Sequence, residues 1–155
     1  MSEDKPARGT FGTWLASSAE FIAVSKFCGS TMVYLPAHDT FYFASPSVLL
    51  APTVPDKTVV LGQFIIDNEK TPRVLFFDVW KLHGVSMKDV PPCERYECLQ
   101  KLETGFGQMC TLQWAGDCSV LAGELKAGRF EVPHAVKGVI ALGSTPGHLV
   151  FSGCV

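Results

Sequence analysis

The two longest apolar stretches of the chain, Thr58–Ile66 and Arg73–Trp80, flank the polar run Asp67-Asn68-Glu69-Lys70-Thr71-Pro72. Hydrophobic positions in both are nearly continuous rather than alternating, which predicts paired strands covered on both faces. Upstream, Phe21–Val24, Thr31–Leu35 and Thr40–Ala44 read as shorter strands rich in aromatic and β-branched residues, with turns at Lys26-Phe27-Cys28-Gly29 and Pro36-Ala37-His38-Asp39. Trp14–Glu20 reads as a short helix or turn. Ser45–Lys57 carries three prolines and reads as a loop, with one helical turn near Ser47–Leu50.

Pro91–Leu102 gives the strongest helical signal. Two prolines open it, Glu94 lies in the first turn, and Tyr96, Leu99 and Leu102 recur at three-residue steps, with Gly105 or Gly107 as the stop. Met109–Trp114 reads as a strand and Ser119–Lys126 as a short helix ended by Gly128. Val136–Leu142 and His148–Gly153 read as a hairpin about Ser144-Thr145-Pro146-Gly147. With no internal repeat and no linker, the chain divides into a flexible arm, residues 1–13, and one α+β domain, residues 14–155.

A length of 155 residues is enough for a core without disulfide staples, and 47% hydrophobic with 18% charged residues is a globular composition. The formal charge of −2 and pI near 6.0 argue against a general nucleic-acid coat protein while leaving room for a local basic pocket. No apolar run is long enough to span a membrane and Met1–Gly12 is not signal-like, so the expectation is an intracellular protein of cytoplasm or nucleus, with no membrane partner. The cysteines, at 28, 93, 98, 110, 118 and 154, contain no Cys-x-x-Cys pair, and the four histidines are scattered singly. Free, buried or half-buried thiols are therefore expected, with no metal and no cofactor.

Four segments, in order, resemble the motifs of the covalent nucleotidyltransferase superfamily, which comprises mRNA capping guanylyltransferases, polynucleotide ligases and the snurportin cap-binding domain. Lys26-Phe27-Cys28-Gly29-Ser30-Thr31 stands where the enzymes have Lys-x-Asp-Gly-x-Arg, and Leu61-Gly62-Gln63-Phe64 where they have Asp-Gly-Glu. Arg73–Gly84, with Asp78 and a following helix containing Arg95, is similar to the next motif. Lys137-Gly138-Val139-Ile140, preceded by Val132-Pro133-His134, is similar to the Asp-Gly or Glu-Gly motif. The family's later lysine-rich motif has no match, and the chain is short for the complete domain. The resemblance implies an α+β fold with a strongly bent, mainly antiparallel sheet, a few flanking helices, and a truncated outline.

Those enzymes need a lysine amine to attack a phosphate and carboxylates to hold divalent metal. On this alignment three acidic positions have become Cys28, Gln63 and Lys137, which leaves no oxygen-anion set suited to magnesium. The resemblance therefore implies a non-catalytic module that binds a nucleotide or a capped RNA 5′ end, as the snurportin domain does. Lys26, Gln63 and Lys137 are its candidate polar ligands. Trp14, Phe41, Phe151 and, between core and site, Trp80 are candidates to stack on a cationic methylated base. Two alternatives stay open: a reduced transferase using Lys26 as nucleophile, and an interaction subunit with a protein partner and a closed pocket. Read from the residues alone, Gln63 satisfies a backbone group, Lys137 snorkels, Asp78 has a buried partner, and Arg95 and Lys101 form a solvated face.

Overall fold

The computed structural model describes residues 10–27, 29–35, 40–44, 54–106, 110–129, 131–143 and 149–154, with backbone alone for residues 27, 35, 40–44 and 149–154. Eleven strands, two α-helices and a 3-10 turn follow one another along these residues. The chain opens with β1 (Phe11–Ala16), followed by β2 (Glu20–Phe27), β3 (Ser30–Leu35) and β4 (Thr40–Ala44). The long hairpin is β5 (Thr58–Ile66) and β6 (Pro72–Leu82), after which come the two-residue β7 (Val85–Ser86) and α1 (Pro92–Leu102) with its 3-10 extension Glu103–Gly105. Short strands β8 (Cys110–Leu112) and β9 (Ala115–Asp117) lead into α2 (Cys118–Ala127), and the hairpin β10 (Val136–Leu142) and β11 (Leu149–Cys154) completes the order.

The domain is α+β and mainly antiparallel, as expected, yet the strands form two sheets rather than one bent sheet. The larger runs β4-β3-β2-β5-β6-β7, with β8 alongside β6 in the one parallel pairing described, and the smaller runs β11-β10-β1-β9. The difference originates in β1. Its segment was expected to be partly arm and partly helix or turn, but Phe11–Ala16 is a strand that pairs with β10, Trp14 facing Val139. A partner so far along the chain leaves no local signature. Nor does β1 alternate: Gly12 to Ala16 are all buried, because both faces of this strand are covered.

Four layers result. Ile22, Val24, Val60, Val74 and Phe76 of the large sheet pack on Leu99 of α1. The other face of that sheet, through Ala23, Leu61 and Phe77, meets Leu15, Ile140 and Leu142 of the small sheet. Trp14, Val139 and Ala141 then pack outward on Cys118 and Leu121 of α2. The continuous apolar character of β5 and β6 thus has the cause inferred from sequence, cover on both faces.

Close approach sets Gly12: a Cβ there would lie 2.2 Å from Cys118 Sγ and 2.4 Å from the Ile140 carbonyl. Both helices sit within a residue or so of expectation. Pro91 precedes α1, while Asp117 caps α2 by accepting the Ser119 N–H at 2.8 Å, and Gly128 ends it at φ 69°. Cys98 is half-buried, Cys110 and Cys118 are buried, Cys93 is exposed, and all four are free thiols. Burial, aided by Asp117, pushes the Cys118 thiol up to about 11, so it is unreactive at neutral pH. Among the described residues no helix is long and apolar enough to cross a membrane. The helical turn expected at Ser47–Leu50 lies outside the described residues, as do Cys28 and the turn at Ser144–Gly147.

Candidate functional site

Gln63 has no exposed surface, and both ends of its carboxamide are hydrogen-bonded. Oε1 accepts the Ala16 N–H at 2.9 Å and Nε2 donates to the Trp14 carbonyl at 2.8 Å. The reason lies in β1. Its partner β9 pairs only from Phe11 to Thr13, so beyond that point the β1 edge presents a carbonyl and an N–H with no strand beside them. The Gln63 amide, one acceptor and one donor, occupies that edge as a neighbouring peptide would. A glutamate could accept from Ala16 but could not donate to Trp14. The backbone-satisfying role read from sequence is therefore the geometry observed.

Lys26 sits at the end of β2, half-buried, and its carbonyl accepts the Lys57 N–H at 2.8 Å. The regular register of β2 puts it on the same face as Ile22 and Val24, toward α1, whereas Gln63 points to the small sheet. Lys137 is exposed and is the extra residue of a β-bulge, skipped between the pairs Leu15–Gly138 and Ala16–Val136. The structure thus joins Gln63 to the backbone of Trp14 and leaves Lys26 on the far face of the large sheet. The Trp14 ring is buried under α2. Phe41 and Phe151 lie in β4 and β11 opposite Tyr34 and Ile140, and their side chains are outside the described residues.

Asp78 has the buried partner expected of it, and that partner corrects another reading. Arg95, assigned to a solvated face, has no exposed surface. Its Nε donates to Asp78 Oδ1 at 2.7 Å and Nη2 approaches Oδ2 at 3.4 Å, while Nη1 donates to the Val90 carbonyl and Nη2 to the Gly143 carbonyl, each at 2.8 Å. Asp78 Oδ1 also accepts the Val79 N–H at 2.8 Å. One guanidinium therefore ties α1, β6, the segment before α1 and the end of β10. Three-residue spacing on α1 hid this, because a buried arginine and a buried leucine occupy the same helical stripe.

Two bulges shape the inner face of the large sheet. Register along β5 and β6 skips Phe77 between the pairs at Leu61 and Gly62, and skips Trp80 between those at Val59 and Val60. Both extra residues pack in the layer between the sheets, and Phe77 meets Phe21 edge-on with ring centroids 6.1 Å apart. Phe21, Tyr34 and Trp80 are half-buried there, each packed against this layer. Trp80 Nε1 is buried and has no acceptor among the described residues.

A separate polar chain links α1 to the small sheet. The Tyr96 hydroxyl donates to the Gln113 carbonyl, and Gln113 Nε2 lies 3.0 Å from His134 Nε2. His134 Nδ1 is 2.9 Å from the Ala135 carbonyl, which can only accept, so Nδ1 carries the proton and Nε2 accepts from Gln113. Burial, partly opposed by that Nδ1 bond, holds the imidazole below its ordinary value. Burial also raises the Tyr96 phenol to about 12, with Glu103 contributing.

Among the described residues no three His, Cys, Asp or Glu side chains are grouped to hold a metal ion. Among the described residues, a surface cleft of about 540 Å3 lies where Val85 and Met87 face Glu94 and Cys98 of α1, and one of about 230 Å3 lies beside Trp114 and Trp14. No protein-family model matches the chain, and no curated protein is significantly similar to it.

Proposed function

We propose that the chain is a non-catalytic module that binds a nucleotide or a capped RNA 5′ end, on a shortened nucleotidyltransferase-like fold similar to the snurportin domain. The observation that carries this reading is the layer between the sheets, where Phe21, Tyr34 and Trp80 are half-buried and the Trp80 indole N–H meets no acceptor among the described residues. A methylated guanine brings a cationic π-face to such rings and oxygen acceptors to such a donor. Phe41 and Phe151 stand opposite Tyr34 and Ile140, two members of the same layer, which places both stacking candidates in strands bordering it. Lys137 at the β10 bulge serves phosphates in this reading, while Lys26, on the opposite face of the large sheet, takes no part. Gln63 acts indirectly, by holding β1 against the large sheet.

The closed-pocket alternative also has an observation in its favour: Leu15, Ile140 and Leu142 are buried directly against Leu61 and Phe77. The transferase alternative gains nothing from a Lys26 that lies across the sheet from Gln63. Titration with a 7-methylguanosine cap analogue and with GTP, followed by tryptophan fluorescence, separates the three. Saturable quenching by the analogue, weakened in Trp80→Phe and Phe151→Ala, is the expected result. Absence of quenching by either compound selects the closed pocket. A covalent adduct from labelled GTP and magnesium, abolished by Lys26→Ala, would sink the non-catalytic reading.

A further inference from the structure

We infer that the cleft beside Trp114, on the outer side of the small sheet, is a second binding site, one that takes an organic ammonium group. Trp114 lies between β8 and β9 with its side chain 63% exposed. Its backbone is nevertheless fixed, since its N–H donates to Gln113 Oε1 at 3.1 Å and its carbonyl accepts from the buried Thr13 hydroxyl. An indole held out on a clamped backbone is pre-organised as a contact surface and contributes little to the core.

The rest of the cleft has one electrostatic preference. Glu124 and Glu131 line it together with Val132, the edge of Trp14 and Arg129. Among the described residues neither carboxylate makes an ion pair, and two carboxylates against one guanidinium leave a net charge of −1, matched to a monocation. Glu124 belongs to the last turn of α2, whose C-terminal end favours positive charge. The exposed indole face attracts the same sign through its quadrupole. At about 230 Å3 the space falls below the ~300 Å3 lower bound usual for whole small-molecule ligands. It suits a free or methylated ammonium head with a short apolar neck, which Val132 and Trp14 would line. A free amine and a lysine side chain of another protein share that chemistry. This site is independent of the nucleotide reading and lies across the small sheet from the aromatic layer.

The test is the indole N–H signal of Trp114 in a nitrogen-labelled sample, assigned by Trp114→Leu. Tetramethylammonium chloride should shift it saturably, while sodium chloride at equal ionic strength should not. A short, otherwise neutral peptide carrying trimethyllysine is the second probe. Tighter binding of the peptide than of the free ion identifies a protein side chain as the source, and equal binding a free amine. Monitoring the probe's own methyl signal, Trp114→Leu should weaken binding about 3- to 30-fold, and Glu124→Gln with Glu131→Gln should weaken it about tenfold. The Asp117 cap and Gly128 terminus of α2 remain, so its helicity serves as the folding control. The inference is overturned if the Trp114 signal responds alike to tetramethylammonium and sodium, or if Trp114→Leu binds both probes as the parent does.

Discussion

Gln63 demonstrates how much one side chain's chemistry can decide. Its replacement by glutamate would bury a charge and remove the Nε2 donor to the Trp14 carbonyl. Gln63→Glu should therefore lower stability by roughly 3 kcal/mol, read as a fall in the urea midpoint with unchanged slope. Its backbone role was legible in the sequence as a plain alternative to ligand binding. Which backbone it serves is not legible there, because β1 pairs with a distant strand and carries no local mark of an unfilled edge. His134 makes a second prediction at this scale. Its folded value is depressed, so below its ordinary value near 6.5 the unfolded chain takes up a proton that the folded chain resists. Its contribution to stability is complete above ~6.5 and declines as pH falls through that value. Urea midpoints measured at about pH 7.5 and about pH 5 should differ more for the parent than for His134→Gln.

Elements met expectation where their signals were local and missed it where a distant partner decided. The hairpin β5–β6 is an example of the first kind. Asp67 accepts the N–H groups of Glu69 and Thr71 at 2.9 and 2.8 Å and the Arg73 guanidinium at 2.6 Å, and these contacts, Arg73 foremost, hold its carboxyl below the usual range. Every residue in that turn lies within reach of sequence reading. The bulges at Phe77 and Trp80 are of the second kind, since an extra residue in a strand is visible only once its partner's register is known. Arg95 shows the same limit on α1, where helical spacing marks a buried stripe but does not reveal a charge accommodated within it. Arg95→Met alone, which takes the guanidinium from the buried Asp78 carboxylate, should cost about 3–5 kcal/mol in chemical denaturation. Asp78→Leu combined with Arg95→Met should cost much less than the sum of the two single changes, because the double variant removes both charges of the buried pair.

For the whole molecule, the layer order α1, large sheet, small sheet, α2 puts the proposed nucleotide surface inside and the proposed ammonium site outside. The two should respond differently to salt. Nucleotide binding should weaken steadily as salt rises, with the shallow slope of a site that neutralises few phosphates, and the same fluorescence titration at several salt concentrations measures it. The α+β class and most of the large sheet were legible because their strands are sequence neighbours. The division into two sheets was not, for β1 and β10 come from opposite ends of the described chain.

The bond between Gln63 and β1 also bears on the order of events during synthesis. Trp14 leaves the ribosome long before Val139, its strand partner, exists. In that interval β1 would be an apolar strand with both edges largely unfilled, the condition that invites misassembly. The Gln63 amide arrives with β5, well ahead of β10, and fits one of those edges on its own. A side chain thus serves as a stand-in strand on the edge that β9 leaves uncovered, holding β1 against the large sheet before β10 takes the opposite edge.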